Sequence, residues 1–236
     1  MNLNIPDSKN FLINLVLQRT SPLINLGHRE VLLKWIQTGK IDEIKNLIED
    51  KFFLEKYLKI LLKEISLEAD NLIKVFKNFK SENLVSIGPG NGLIELILLK
   101  KLPIKKILLI DIEKTDTHHH GFYEKGSGYA KLEETKNFFI KNGIKESSIN
   151  CCNPNNEALP IFRIDILISL ISMGFHYPCD DYYDFIINNS KPKTVLSFDK
   201  RKVSNDSGYE NLIKKFKILG SIESTKKNRV FLIKEN

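Results

Sequence analysis

Cysteine is scarce in this sequence, and its scarcity excludes two kinds of structural site. The 236-residue chain has three cysteines, Cys151, Cys152 and Cys179, which form neither a disulfide framework nor a C-x-x-C metal pair. Free thiols are typical of proteins in the reducing cytosol. The cysteine content therefore predicts a cytoplasmic protein.

Long hydrophobic runs are also lacking. The longest apolar stretch, residues 164–175, is shorter than the roughly 20 residues that a membrane-spanning helix needs. The N-terminus has no basic segment followed by a sustained apolar run, so we expect no signal peptide. These absences predict a soluble intracellular protein that has no membrane partner.

The charge has no large block of one sign. Apolar residues make up 42% and charged residues 28% of the chain, as in ordinary globular proteins. The net charge of +7 is spread over small lysine clusters, which favours solvated surfaces over a nucleic-acid interface. An excess of this size still favours anionic ligands. The length is sufficient for one domain and an extension.

Glycine is sparse, with 12 in the chain, yet Gly88, Gly90 and Gly92 stand at alternate positions. A β-branched run at 84–87 precedes them, and an apolar helical run follows from Leu93. Residues without a Cβ can turn sharply and let a ligand approach the backbone. The first amides of the next helix attract an anionic group. The stretch predicts a strand, a binding turn and a helix.

A carboxylate follows the next predicted strand. Residues 106–110 form that strand, and Asp111 comes directly after it. A carboxylate in this place can accept two hydrogen bonds from a ribose diol. The dinucleotide fingerprint G-x-G-x-x-G would need glycine at position 93, which is leucine. We therefore predict a nucleoside-cofactor site that is not of the nicotinamide type.

The glycine loop and Asp111 resemble those of the class I S-adenosylmethionine-dependent methyltransferases. The resemblance implies that S-adenosyl-L-methionine is the cofactor, with its methionine part at the glycines and its ribose at Asp111. Ser86 departs from the family, because many members have an acid there. By this resemblance, the cofactor-binding residues are Gly88, Pro89, Gly90, Gly92, Asp111, Ile112, Asn153 and Ser169.

The periodicity of apolar residues divides the chain in two. Residues 1–80 show helical spacing at 29–36, 41–48 and 52–65, and Asp70 could cap a further helix. This extension could be a lid, a packing cap or the surface of a homodimer. From 81 to 236, strands and helices alternate and end in a hairpin. With this alternation, the methyltransferase resemblance implies an α/β, Rossmann-like, seven-stranded, mostly parallel sheet with a C-terminal antiparallel hairpin.

Two loops bear on the acceptor. The loop after the third strand contains Asn153 and Asn155. It resembles the family's adenine-binding segment, which implies that one of them contacts adenine, but an Asx turn is equally open. The loop after the fourth strand lacks the Asn-Pro-Pro-aromatic signature that resembles base-methylating enzymes. Pro178-Cys179 comes too late for a cytosine nucleophile. Both observations weaken a nucleic-acid acceptor.

The loop after the second strand is rich in histidine. It contains His118, His119 and His120 together with Asp116 and Glu124. Histidine is well suited to remove a proton from a hydroxyl near neutral pH. A divalent metal site, which we do not favour, and a purely structural role stay open as alternatives. The candidate general bases are His119, His120 and His176.

These histidine-rich loops are also similar to those of uncharacterised methyltransferases associated with sugar modification. We therefore predict O-methylation of a small-molecule or saccharide acceptor by in-line methyl transfer with a histidine base. An RNA methyltransferase is one alternative, suggested by the isoelectric point of about 9.1. A nicotinamide-dependent oxidoreductase and a catalytically inactive, methyltransferase-like binding module are the others.

Overall fold

A twisted sheet forms the centre of the computed structural model, which describes residues 3–113, 130–201, 206–224 and 227–235. The strands are β1 (Asn83–Ile87), β2 (Lys106–Ile110), β3 (Ile149–Cys152), β4 (Ile164–Ser169), β5 (Ser172–Tyr177), β6 (Ser190–Arg201), β7 (Lys217–Glu223) and β8 (Lys227–Ile233). Seven of them pair in the order β3-β2-β1-β4-β6-β8-β7. β5 packs beside β6.

The pairing directions confirm the expected sheet. β1 pairs in parallel with β2 and β4, and β2 and β4 pair in parallel with β3 and β6. β8 is antiparallel to both β6 and β7, which forms the predicted hairpin at the C-terminal edge. Ile87 lies opposite Ile110 in the register. The first two strands therefore end at one level, which brings the segments that follow them together.

Helices cover both faces of the sheet. They are α1 (Lys9–Gln18), α2 (Ser21–Asn25), α3 (Arg29–Thr38), α4 (Asp42–Glu49), α5 (Lys51–Phe76), α6 (Leu93–Lys101), α7 (Leu132–Lys141), α8 (Tyr183–Asn189) and α9 (Ser207–Ile213). The helices α1 to α7 share one apolar core with one face, and α8 and α9 cover the other. Within the described ranges, no helix is both long and apolar enough to cross a membrane.

The N-terminal segment differs from the prediction in one respect. The sequence suggested that Asp70 could cap a further helix, and this is wrong because α5 runs unbroken past it, over 26 residues in all. Its buried stripe runs on at helical spacing through Leu61, Ile65, Ala69, Leu72 and Phe76. Asp70 instead pairs with Lys101 on α6, with 2.7 Å between Oδ1 and Nζ.

The segment after β4 also differs from its prediction. We expected an irregular loop, whereas residues 172–177 form β5. Ile171 has a φ of 60°, which turns the chain sharply before this strand begins. The consequence is that His176 lies on a strand beside the sheet.

A network of buried charges joins the N-terminal helices to the hairpin. Arg229 on β8 donates to Asp199 on β6 from Nε (2.8 Å) and Nη2 (2.9 Å), and to Glu68 on α5 from Nη2 (2.5 Å). Arg19 reaches the other oxygen of Glu68 at 2.9 Å, and Lys227 pairs with Asp199 at 2.5 Å. These ion pairs cross-link segments that are far apart in the chain.

Candidate cofactor site

The glycine loop has the conformation that its sequence predicted. Gly88, Gly90 and Gly92 have φ values of 69°, 55° and 71°, in the left-handed region that favours glycine. The Gly88 amide donates to the carbonyl of Ile110 at 2.8 Å, which ties the loop to the end of β2. Gly92 directly precedes α6. The loop is therefore a tight turn between β1 and α6.

Packing is a second reason for glycine in this loop, and the sequence pattern did not indicate it. A Cβ on Gly88 would collide with Ser172, one on Gly90 with Gln18, and one on Gly92 with the Phe139 ring. These contacts come from β5, α1 and α7, so the loop is enclosed by three other elements of the protein. At Gly88 and Gly92, packing therefore favours the absence of a Cβ in addition to backbone conformation.

Asn91, between the second and third glycines, is held by α1. The side chain of Gln18 accepts from the Asn91 amide at 3.0 Å and donates to Asn91 Oδ1 at 2.8 Å. Asn91 Nδ2 donates to the carbonyl of Phe11 at 3.0 Å. The sequence pattern carried no signal for this, because Gln18 and Asn91 are 73 residues apart.

Asp111 lies beside this loop, as the sequence predicted. Its carboxylate accepts from the amide of Glu113 at 3.2 Å. Burial raises the pKa of Asp111 to about 6, against the opposing effect of the Glu113 amide and, more weakly, the Gly90 amide. A half-buried carboxylate is therefore held next to the glycine loop, where it can accept hydrogen bonds from a polar ligand.

The loop after β3 packs against the residues that follow Asp111. Asn153 Nδ2 donates to the carbonyl of Ile112 and to Glu113, both at 3.2 Å. Asn153 Oδ1 accepts from the amide of Asn155 at 3.0 Å, which forms the Asx turn that the sequence left open. A contact of Asn153 or Ile112 with the cofactor stays a prediction.

Ser169, at the end of β4, has its hydroxyl engaged within the protein. Its Oγ donates to the carbonyl of Ile87 at 2.9 Å and accepts from the amide of Met173 at 2.8 Å. The side chain is completely buried. It therefore links the end of β1 to the start of β5, and a contact of Ser169 with the cofactor stays a prediction.

Ser86, which stands where many family members have an acid, is hydrogen-bonded to a carboxyl group on α6. Ser86 donates from Oγ to Glu95 on α6 at 2.7 Å, and both side chains are buried. Burial raises the pKa of Glu95 to about 7, although the hydrogen bond from Ser86 opposes this. Helix α6 thus places a carboxyl group next to Ser86, the position on β1 where the family acid is missing.

Of the three candidate bases, only His176 lies in the described part of the chain. His119 and His120 fall outside the described residues, as do His118, Asp116 and Glu124. His176 lines a cavity of about 260 Å³ at the ends of β5 and β6. The walls of the cavity are Gly174, Phe175, His176, Tyr177, Pro178, Arg201, Asp206 and Ser207.

Tyr177 lines the same cavity as His176. Its pKa is raised to about 12, first by burial and then by the negative charges of Asp111 and Asp181. The charge of Asp111 thus acts on a residue of the cavity wall.

The described residues contain no candidate metal centre. No group of three or more histidine, cysteine or acidic side chains among them could hold a metal ion. Burial raises the pKa of the Cys179 thiol, and the neighbouring Asp206 raises it further. Cys179 is therefore held as the neutral thiol.

Comparisons with known proteins identify the fold. No protein-family model and no curated protein matches the sequence. A methyltransferase from Clostridium acetobutylicum ATCC 824, described as S-adenosylmethionine-dependent, has 15% identity and a TM-score of 0.52, over 78% of this chain and 99% of that one.

Two further solved structures share the architecture. The [4+2]-cyclase SpnF has 12% identity and a TM-score of 0.52, over 71% of this chain and 79% of its own. MtNAS, solved with MTA and tNA, has 14% identity and a TM-score of 0.50, over 88% of this chain and 74% of its own. At these identities the similarity establishes the fold, which is the Rossmann-like fold of S-adenosylmethionine-dependent methyltransferases.

Proposed function

We propose that this protein is an S-adenosylmethionine-dependent methyltransferase that methylates a hydroxyl group of a small or carbohydrate-like acceptor. The observation that carries the proposal is the pairing of the glycine loop with Asp111 at adjoining strand ends. The carboxylate is half-buried, and the amides of Gly90 and Glu113 stabilise its charge. A tight glycine turn next to a carboxylate fits the methionyl and ribose groups of this cofactor.

The residues of the chain divide the work of binding. The loop from Gly88 to Gly92 would hold the methionine part, Asp111 the ribose, and the Asn153 turn the adenine. When bound, the cofactor supplies an electrophilic methyl group on a sulfonium. The protein contributes chiefly by holding the acceptor oxygen in line with that methyl group, because proximity and orientation alone accelerate such transfers greatly.

The proton of the acceptor hydroxyl needs a destination, since a neutral hydroxyl is a poor nucleophile. During methyl transfer, a ring nitrogen of His176, His119 or His120 would take that proton. His176 is favoured by its place in the cavity wall beside Tyr177, on which the charge of Asp111 acts.

The cavity supports a small polar acceptor. Its 260 Å³ is below the roughly 300–1,000 Å³ of pockets for drug-sized ligands, so it suits a single ring or the end of a longer chain. Its walls combine the rings of Phe175 and Tyr177 with the polar groups of Arg201 and Asp206. Such a mixture can pack against the apolar face of a sugar ring and hydrogen-bond its hydroxyls.

Binding of the cofactor is the first test. We expect S-adenosylmethionine and S-adenosylhomocysteine to bind with micromolar dissociation constants in calorimetric titrations, and NAD not to bind. Binding of NAD instead would indicate an oxidoreductase. A folded protein that binds none of the three would be a methyltransferase-like binding module. Filter binding of RNA across a salt series would reveal the RNA alternative by a steep salt dependence.

The role of histidine is tested by single alanine substitutions of His119, His120 and His176. Loss of a general base typically lowers turnover by about 10²–10⁴-fold, and we expect one of the three variants to show this loss. The measurement is transfer of labelled methyl to a panel of sugars and other hydroxyl compounds. His28→Ala is the matched control, because the His28 ring packs edge-on against Phe53 with centroids 5.1 Å apart. Turnover within about threefold in all three variants would contradict the mechanism.

A further inference from the structure

We propose that helix α1 is part of the cofactor site and that Gln18 is a positioning residue for the glycine loop. The inference rests on the proposed function and assigns a role to the N-terminal helices. They would act in cofactor binding through α1. A distant lid or a dimer surface would not require α1 to contact the glycine loop.

Every polar group of the Asn91 side chain, and its backbone amide, is hydrogen-bonded to α1. The backbone amide and the side-chain oxygen bond to the Gln18 side chain at 3.0 and 2.8 Å, and the side-chain nitrogen bonds to the carbonyl of Phe11 at 3.0 Å. Asn91 is 1% exposed, so water cannot replace these partners without rearrangement of the loop. Removing the Gln18 amide would leave a buried donor and a buried acceptor unpaired, which is costly.

The same side chain also limits the space above Gly90. A Cβ on Gly90 would collide with the Gln18 amide, so Gln18 packs directly on this part of the loop. On the other side, Thr135 on α7 donates to the carbonyl of Gly90 at 2.7 Å. The peptide between Gly90 and Gly92 is thus clamped between α1 and α7.

The end of α1 is itself held firmly. Tyr57 on α5 donates to the carbonyls of Leu15 and Arg19 at 3.2 and 2.7 Å, where the helix ends. The Arg19 side chain pairs with Glu68 at 2.9 Å. Because α5 fixes this end from two sides, Gln18 is a rigid support for the loop.

The clamp acts on one half of the cofactor. The glycine loop faces the methionyl part in the proposed function, whereas Asp111 and Asn153 face the nucleoside. Loss of Gln18 should release the loop and therefore weaken the binding of ligands that carry the amino-acid group. The affinity for a ligand without that group should not change.

The test compares S-adenosylhomocysteine with methylthioadenosine, which has the same nucleoside and no amino-acid group. We expect Gln18→Ala to weaken the binding of S-adenosylhomocysteine about tenfold in calorimetry. The dissociation constant for methylthioadenosine should stay within about twofold of the wild-type value. Gln18→Glu keeps the side-chain size and the acceptor but turns an oxygen toward Asn91 Oδ1. It should show the same selective loss, and it guards against a failure of the alanine variant to fold.

Gln37→Ala is the matched control, because Gln37 is exposed on α3. An equal loss of affinity for both ligands in the Gln18 variants would indicate general damage to the fold. Unchanged affinity for both would show that cofactor binding does not need the contact between Gln18 and the loop. Either result overturns the inference while the proposed function stands. A wild-type protein that binds neither ligand would overturn both.

Discussion

Arg229→Met is expected to lower the free energy of unfolding by about 3–5 kcal/mol. Arg229 bonds to both oxygens of Asp199 and to one oxygen of Glu68, and its side chain is 8% exposed. Without the guanidinium, Asp199 keeps Lys227 and Glu68 keeps Arg19. The buried carboxylate of Asp199 and the partly buried one of Glu68 would then have less compensation for their lost hydration, which is the costly case for buried ion pairs.

Urea denaturation measures this loss, with Arg163→Met as the control. Arg163 has a 59% exposed side chain and lies 3.9 Å from its nearest acid, Asp165. Asp165 itself is buried, but Lys191 pairs with it at 2.5 Å, whereas Arg163 is too distant for a hydrogen bond. Asp165 keeps its close partner in Arg163→Met, so the control should stay near the wild type. A loss below about 1 kcal/mol in Arg229→Met would mean that water or the remaining cations solvate Asp199 and Glu68 well enough.

The network also predicts how stability depends on pH. Burial would raise the pKa of Glu68, but Arg19 and Arg229 outweigh it and lower the pKa from 4.5 to about 2. Because the folded-state pKa is the lower one, Glu68 contributes stability above about pH 4.5, and the contribution is lost as pH falls toward 2. Arg229→Met should lose less stability than the wild type over this acid range.

The local parts of the site could be predicted from the sequence. The glycine loop and Asp111 are short patterns, in which a strand end, a turn and a helix start follow one another directly. Parallel strands place such ends together, so adjacency of the glycines and Asp111 followed from the expected fold. The alternation of strands and helices likewise predicted the sheet and its terminal hairpin.

The long-range contacts could not be predicted in this way. Gln18 meets Asn91 across 73 residues, and Arg229 meets Glu68 across 161. Periodicity gives the buried face of a helix but not the partner of one polar residue at its end. Glu95 is an intermediate case, because a lone acid within an apolar run was visible, whereas its pairing with Ser86 was not.

Asp111→Asn is expected to weaken the binding of S-adenosylhomocysteine at least tenfold. Each hydrogen bond to a charged acceptor contributes about 1.5–3 kcal/mol, and about 1.4 kcal/mol corresponds to tenfold in affinity. Asparagine keeps the size of the side chain but removes the charge and one acceptor oxygen. Calorimetry at pH 7 measures the change. Asp70→Asn is the control, since Asp70 pairs with Lys101 at the surface.

The pH dependence separates a ligand-binding carboxylate from a structural one. The pKa of Asp111 is about 6 against 3.8 for an ordinary aspartate, so the folded state binds its proton more readily than the unfolded state. From this group, stability falls as pH rises from about 4 to 6 and stays lower above. Asp111→Asn lacks that fall and should be at least as stable as the wild type at pH 7. Wild-type affinity should decrease below pH 6, whereas the variant's should not.

A variant that loses the ligand while keeping or gaining stability indicates a carboxylate retained for binding, because burial of its charge is unfavourable to the fold. Unchanged affinity in Asp111→Asn would place the ribose elsewhere. The carboxylate beside the glycine loop would then be unexplained, and the assignment of the cofactor site would fail with it.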